Sequence, residues 1–291
     1  MLRMDKSLST VYVNLTRISL TILITLSLYG QKIPILMYHC ITHQLDRFSV
    51  TPENFRRHLE QLYALGYVSV RLEDVVLNKE SVRDKKGVIL RFDDSTQDHF
   101  NYIQDDRGNW IIDPKCAVGI LLDFYKKHPK FGKNAIFCVI AKKEFGQPEF
   151  CKQKLEFLLS QGMEIVNHGM YHEYITTYTS ADIDRNFGQA MSYWESILGE
   201  QVKDIRFVAT PYGSRAKNRQ ARARLKEFCW QNKVYPMLGT LYVDNSLCPL
   251  PMNKEFNPYN LGSLTVTDQT ASFVLDILKA HMLSLVQAER K

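Results

Sequence analysis

Two kinds of apolar patterning alternate along the chain. Short runs dense in β-branched and other apolar residues, at positions 32–39, 67–70, 88–92, 134–140, 163–167 and 204–209, have the length and composition of buried strands. Between them, apolar residues recur every three or four positions, the spacing of a helix with one buried face. Phe55, Leu59 and Leu62 make such a stripe behind Thr51 as cap and Pro52 as first helical residue, and Gly66 ends it. A short helix is expected at 72–76. Val118, Leu121, Leu122 and Tyr125 place a helix over 113–128, and Leu155, Leu158 and Leu159 place another over 150–161. The clearest helix takes Ser180 as its cap, carries Phe187, Ala190, Met191, Trp194, Ile197 and Leu198 as its stripe, and stops at Gly199. Further on, the pattern predicts one or two strands within 234–243, another at 261–267, and a terminal helix over 271–288 with Phe273, Ile277, Leu278 and Leu285 inward. This alternation predicts an α/β fold on a parallel sheet. No repeat, low-complexity tract or linker divides it, so one domain is expected.

Composition narrows the picture. The sequence has 291 residues, of which 45% are hydrophobic and 11% aromatic, an ordinary globular balance and enough chain for an α/β barrel of roughly 250 residues. Net charge is +6, and much of the excess sits in Arg215, Lys217, Arg219, Arg222, Arg224 and Lys226. No aromatic residues interleave that run, so it reads as a solvated helix face and no nucleic-acid partner is expected. The six cysteines (Cys40, Cys116, Cys138, Cys151, Cys229 and Cys248) include no Cys-x-x-Cys pair and suggest small core residues, with one or two disulfides left open. At the N-terminus, Arg3, Lys6 and Arg17 precede an apolar stretch at 18–28 of signal-peptide length. Residues 1–30 are read as a signal peptide or an uncleaved membrane anchor, which makes membrane attachment one of the two expectations and places residues 31–291 outside the cytoplasm.

Candidate chemistry gathers where strands end. The run Val88-Ile89-Leu90-Arg91-Phe92 stops on Asp93 and Asp94, two adjacent carboxylates that stay ionised together only if a cation or hydrogen bonds compensate. Another strand runs into His168-Gly169-Met170-Tyr171-His172, and a third into Pro211-Tyr212-Gly213. The first strand ends in His39. A parallel barrel collects such ends at one mouth. There, one carboxylate and two imidazoles form a three-ligand set with open positions, as a catalytic metal site requires. The second carboxylate is then available as a base.

Phe92-Asp93-Asp94, His168-x-x-x-His172 and Pro211-Tyr212-Gly213, in this order, resemble the motifs of the polysaccharide deacetylase family (carbohydrate esterase family four, the NodB homology domain). The opening Pro34-Ile35-Leu36-Met37-Tyr38-His39 and the strand Asn134-Ala135-Ile136-Phe137 are similar to those of its members, and the likeness runs from about Pro34 to about Val266. The resemblance implies a distorted (β/α) barrel over residues 31–291. It also implies a divalent metal, zinc above others, held by Asp94, His168 and His172, with Asp93 as general base. Pro211, Tyr212 and His39 would bind substrate, and the Tyr212 N–H would hold the oxyanion. The implied reaction removes acetyl groups from N-acetylated or O-acetylated poly- or oligosaccharide.

Three departures stand out. Ser95 replaces the usual glycine, in an Asp-Asp-Ser-Thr form that marks a subgroup. Ala209 replaces the arginine that tunes the base, with Arg206 as the nearest alternative. The usual Leu-x-His acid has only His281 as its counterpart, inside the terminal helix, with His39 and His99 as further candidates for the acid. The last two motivate an alternative, a catalytically impaired barrel acting as a glycan-binding or envelope-assembly protein.

Overall fold

The computed structural model describes residues 32–44 and 46–289, so the apolar stretch at 18–28 lies outside the described residues. Eight strands form one parallel sheet: β1 (Ile35–Tyr38), β2 (Val68–Ser69), β3 (Gly87–Phe92), β4 (Ile136–Val139), β5 (Glu164–Asn167), β6 (Phe207–Ala209), β7 (Gly239–Leu241) and β8 (Leu264–Thr265). Their order is β7-β6-β5-β4-β3-β1-β8, with β2 also paired to β3. Leu241, at the end of β7, makes a further parallel bridge to Leu261, just before β8, so the two edges of the curled sheet approach each other. The fold is the distorted (β/α) barrel expected from the motifs.

Alternation along the strands sets the two faces. Val88, Leu90 and Phe92 of β3 join the large cluster under the helices, while Ile89 joins the smaller inner cluster with Ile35, Ile136, Val166, Phe207 and Leu241. Helices α1 (Pro52–Ala64), α2 (Leu72–Val76), α3 (Ala117–Lys127), α4 (Cys151–Ser160), α5 (Gln189–Leu198) and α6 (Ala271–Glu289) pack around the sheet. Their fully buried side chains, such as Phe55, Leu155 and Trp194, each stabilise the fold by about 1.5–3 kcal/mol for apolar groups of that size. The cap of α1 is as read: Thr51 Oγ1 accepts the Asn54 N–H at 3.2 Å, and Gly66 turns the chain with φ 84°.

Several boundaries move. Helix α3 begins at Ala117, not 113, because Trp110–Ile112 pairs with Tyr102–Gln104 in an antiparallel hairpin that occupies the polar loop after Asp94. The cap read at Ser180 is Thr179, whose side chain closes a capping box with Asp182. The helix behind it is interrupted by a π-helical segment, Asp184–Gly188. The region 234–243 resolves into Lys233–Pro236, which pairs in a hairpin with Glu227–Trp230, and β7. All six cysteines are free thiols. Among the described residues, no helix is long and apolar enough to cross a membrane.

Candidate active site

Strand register brings the three motif ends together. Tyr38 pairs with Phe92, Phe92 with Phe137, Asn167 with Val139 and Val208, and Ala209 with Leu241. The residues that follow these pairs are His39, Asp93 and Asp94, His168, and Thr210 with Pro211. They sit at the C-terminal mouth of the barrel.

Asp94 Oδ1 lies 3.1 Å from His168 Nε2 and 2.9 Å from His172 Nε2. All three ligand atoms fall within 4.8 Å of one another, and this is the one such group of three found among the described residues. His168 Nδ1 is 2.8 Å from the Ala209 carbonyl, a pure acceptor, so Nδ1 carries the proton and Nε2 presents its lone pair to Asp94. A lone pair facing an ionised carboxylate needs a proton or a cation between them. Burial would raise the Asp94 carboxyl, but its bonds to His168 and His172 hold it well below the usual carboxylate range. Burial would lower His168, but Asp94 and Asp93 raise it. The donor set therefore fits a divalent metal.

Asp93, 3% exposed, has a different partner. Arg91 Nε and Nη2 donate to its two carboxylate oxygens, both at 2.7 Å, in a bidentate pair. Arg91 is wholly buried, and its Nη1 donates to the Tyr242 carbonyl at 3.0 Å and to Ser263 Oγ at 2.8 Å. Burial would raise the Asp93 carboxyl, and Arg91, then His168 and His39, bring it down to about 2. Asp93 is ionised and aimed. The expectation for Arg206 fails, because its Nη1 bonds Glu73 Oε1 at 2.9 Å, and Glu73 lies on α2, beyond the N-terminal ends of the strands.

A family model described as polysaccharide deacetylase matches residues 80–228, more than half of the chain. The chain belongs to the polysaccharide deacetylase family. It is thus a deacetylase-type hydrolase acting on carbon–nitrogen bonds, with acetylated polysaccharide as the substrate class of its family. No curated protein matches the sequence significantly. Among solved structures, the chain is similar to the Streptococcus pyogenes deacetylase PplD in complex with acetate, with 20% identity and a TM-score of 0.62 over 85% of this chain and 98% of that one. It is also similar to IcaB from Ammonifex degensii, with 15% identity and a TM-score of 0.58 over 86% and 98%. A de-N-acetylase from Aggregatibacter actinomycetemcomitans gives 14%, 0.58, 85% and 99% on the same measures. At these identities the likeness is one of fold.

The remaining predicted residues of the deacetylase divide. Tyr212 takes a left-handed conformation (φ 57°) in the Pro211–Gly213 turn and is 55% exposed. Its ring lies 4.6 Å from His172 and stacks on Tyr174 at 4.0 Å. Gly213 has φ 60°, and a Cβ there would meet Val243 at 2.9 Å, so the turn requires glycine. His39 is half-buried at the mouth against Phe48 and close enough to Asp93 to act on its charge. His99 is fully buried, edge-on to Phe92, and presents no face to a substrate. His281 is misplaced for a general acid. It bonds the Tyr67 hydroxyl at 2.8 Å and the Lys32 carbonyl at 3.0 Å, and Lys32 lies six residues before Tyr38, at the opposite end of the barrel.

Two supports escaped the sequence reading. Arg91 was legible in principle: it precedes Asp93 by two in a strand, so the pleat puts both on one face. Asn186 was not. It is buried in the π-helical segment, where its Oδ1 accepts the Met170 and Tyr171 N–H groups at 2.8 and 3.1 Å and holds the loop between His168 and His172. Gly169 makes room for it, since a Cβ there would meet Asn186 Oδ1 at 2.7 Å.

Proposed function

We propose that this deacetylase removes acetyl groups from N-acetylated glycan by attack of a water whose proton Asp93 accepts, with Asp94, His168 and His172 holding a divalent metal, zinc first among candidates. The observation that supports this most is the division of the two aspartates between partners: Asp94 faces two imidazoles, and Asp93 is held by Arg91. When bound, the metal supplies Lewis acidity, which eases loss of a proton from water and polarises an acyl carbonyl. Asp93 accepts the proton of the attacking water, and the arginine fork keeps its carboxylate ionised and fixed in direction. Pro211 and Tyr212 line the acetyl group, and the Tyr212 N–H is the donor for the developing oxyanion, an interaction of about 3–4 kcal/mol where single donors have been removed. As the carbon–nitrogen bond breaks, the leaving amine takes a proton. His39 is our choice for that donor, since it stands at the mouth and neither His99 nor His281 can reach. Acetate and a free amine result.

Arg91 also answers one of the two grounds for a catalytically silent barrel, because a guanidinium does tune Asp93. We further infer that residues 1–30 carry the protein out of the cytoplasm as a signal peptide or hold it at the membrane as an anchor, and that 31–291 form the catalytic domain.

Acetate release from N-acetylglucosamine oligomers and acetylated polymers, with and without added Zn²⁺, tests the reading. Asp93→Asn is expected to lower kcat by about 10²–10⁴-fold, the range for a positioned base, with metal content unchanged. Undiminished turnover in that variant would remove Asp93 from the mechanism.

A further inference from the structure

Lys154, on α4, is 0% exposed. Its ammonium sits 5.7 Å from the centre of the Phe100 ring and 5.9 Å from those of Tyr102 and Phe145. It donates one hydrogen bond, 2.9 Å, to the Phe145 carbonyl, and among the described residues no carboxylate pairs with it. Aromatic faces attract a cation, but an ammonium taken out of water without a counter-ion is a costly group to keep. Burial pushes its pKa down to about 8.

What it holds is a strained peptide. Phe145 adopts φ 56°, a conformation rare for an aromatic residue, within a segment where Lys142 and Gly146 are also left-handed. The Phe145 N–H donates to the Ser95 carbonyl at 2.9 Å. Ser95 Oγ in turn accepts the Ile140 N–H and donates to the Lys143 carbonyl, both at 3.1 Å. Ser95 and Asp94 are themselves left-handed, with φ of 46° and 74°. A left-handed conformation of this kind persists only where its surroundings impose it. Ser95 is thus one end of a brace, and Lys154 is the other.

We propose that Lys154 is a positioning residue for Asp94: its ammonium fixes the Phe145 peptide, which holds Ser95 and so turns the Asp94 carboxylate towards His168 and His172. The proposal rests on the reading of Asp94 as a metal ligand. It does not place Lys154 in contact with substrate or metal.

Lys154→Met fills the same aromatic cage without a donor. Zn²⁺ titration against a competing chelator, well below the unfolding temperature, is expected to show affinity about 10–100-fold weaker than wild type, the usual effect of removing a support behind a ligand. In the metal-free protein, hydrogen exchange at the Phe145 N–H, which bonds the Ser95 carbonyl, is expected to quicken while that in β4 and β5 stays as in wild type. Should Lys154→Met not fold, Ser95→Ala removes the two hydroxyl bonds that tie Ser95 to Ile140 and Lys143 without touching the amine, and a Zn²⁺ affinity weakened in the same direction is expected. Wild-type Zn²⁺ affinity in the folded variant, with only a lower melting temperature, overturns the proposal and leaves the metal site standing. A wild-type protein that binds no Zn²⁺ overturns the site and the proposal together.

Discussion

Arg91 and Asp93 stand two apart on one strand, and the bidentate bond between them is buried. A buried pair of this kind is costly to break from one side, because the survivor keeps its charge without compensation. Arg91→Met is therefore expected to lower stability by about 3–5 kcal/mol, read from urea unfolding, and to raise the Asp93 carboxyl so that the acid limb of the kcat/KM profile moves to higher pH. The pH dependence of folding has a definite sign. Asp93 is held at about 2, below its ordinary 3.8, so its contribution is fully present above roughly pH 4 and is lost as pH falls through about 2. The difference is worth about 2 kcal/mol at ~1.36 kcal/mol per unit, and Arg91→Met should abolish that acid-side loss. At this scale much of the site was legible. That Asp94, His168 and His172 come together, within 4.8 Å at their nearest oxygen and nitrogen atoms, could be read from residue type and strand-end position. The resemblance points to Ala209 and Arg206 for the arginine, whereas the period of two along Val88-Ile89-Leu90-Arg91-Phe92-Asp93 puts a cation on the face of Asp93.

Elements carry what single positions do not. The His168–His172 loop has no regular structure, and it is framed from outside: Asn167 Oδ1 accepts the Gly169 N–H at 2.8 Å, and Asn186 takes two further N–H groups of the loop. Asn186 can do this because the helix around it widens into a π turn, a departure that apolar spacing could not reveal since Ile183 before it, Phe187 within it and Ala190 after it keep the helical stripe. The hairpin after Asp94 escaped for a related reason, as strands of three residues with exposed Trp110 and Ile111 leave too little alternation to read. Asn186→Ala removes the acceptor and leaves a space beside Gly169. Zn²⁺ affinity is expected to fall about 10–100-fold, while kcat in saturating Zn²⁺ recovers most of its wild-type value. Unchanged affinity would show that the loop holds its shape without the π segment.

Across the whole molecule, the two ends of the barrel do different work. The C-terminal mouth collects strained, polar and charged residues, and the opposite end is closed by ties between distant parts of the chain. There Glu164 accepts the Leu72 and Glu73 N–H groups at the start of α2, at 2.7 and 3.0 Å, and Arg206 reaches Glu73. His281 belongs to this second set. Sequence position near the C-terminus made it a candidate acid, but nothing in a linear pattern says which end of a barrel a terminal helix will meet. Here α6 lies against the opening strands, and His281 joins it to Tyr67 and to the Lys32 carbonyl. Two hydrogen bonds of ordinary strength, one buried and one part-buried, at about 1 kcal/mol each, together with the space left by the buried ring, put the cost of His281→Ala at about 2–4 kcal/mol. Melting temperature should fall accordingly, and kcat at a temperature where the variant is folded should match wild type within a factor of two or so. A general acid would behave in the opposite way, with stability kept and turnover reduced by about 10²-fold or more. The same assay on His39→Asn is expected to give that second pattern, so the two histidines, at opposite ends of one barrel, separate a structural tie from a proton donor.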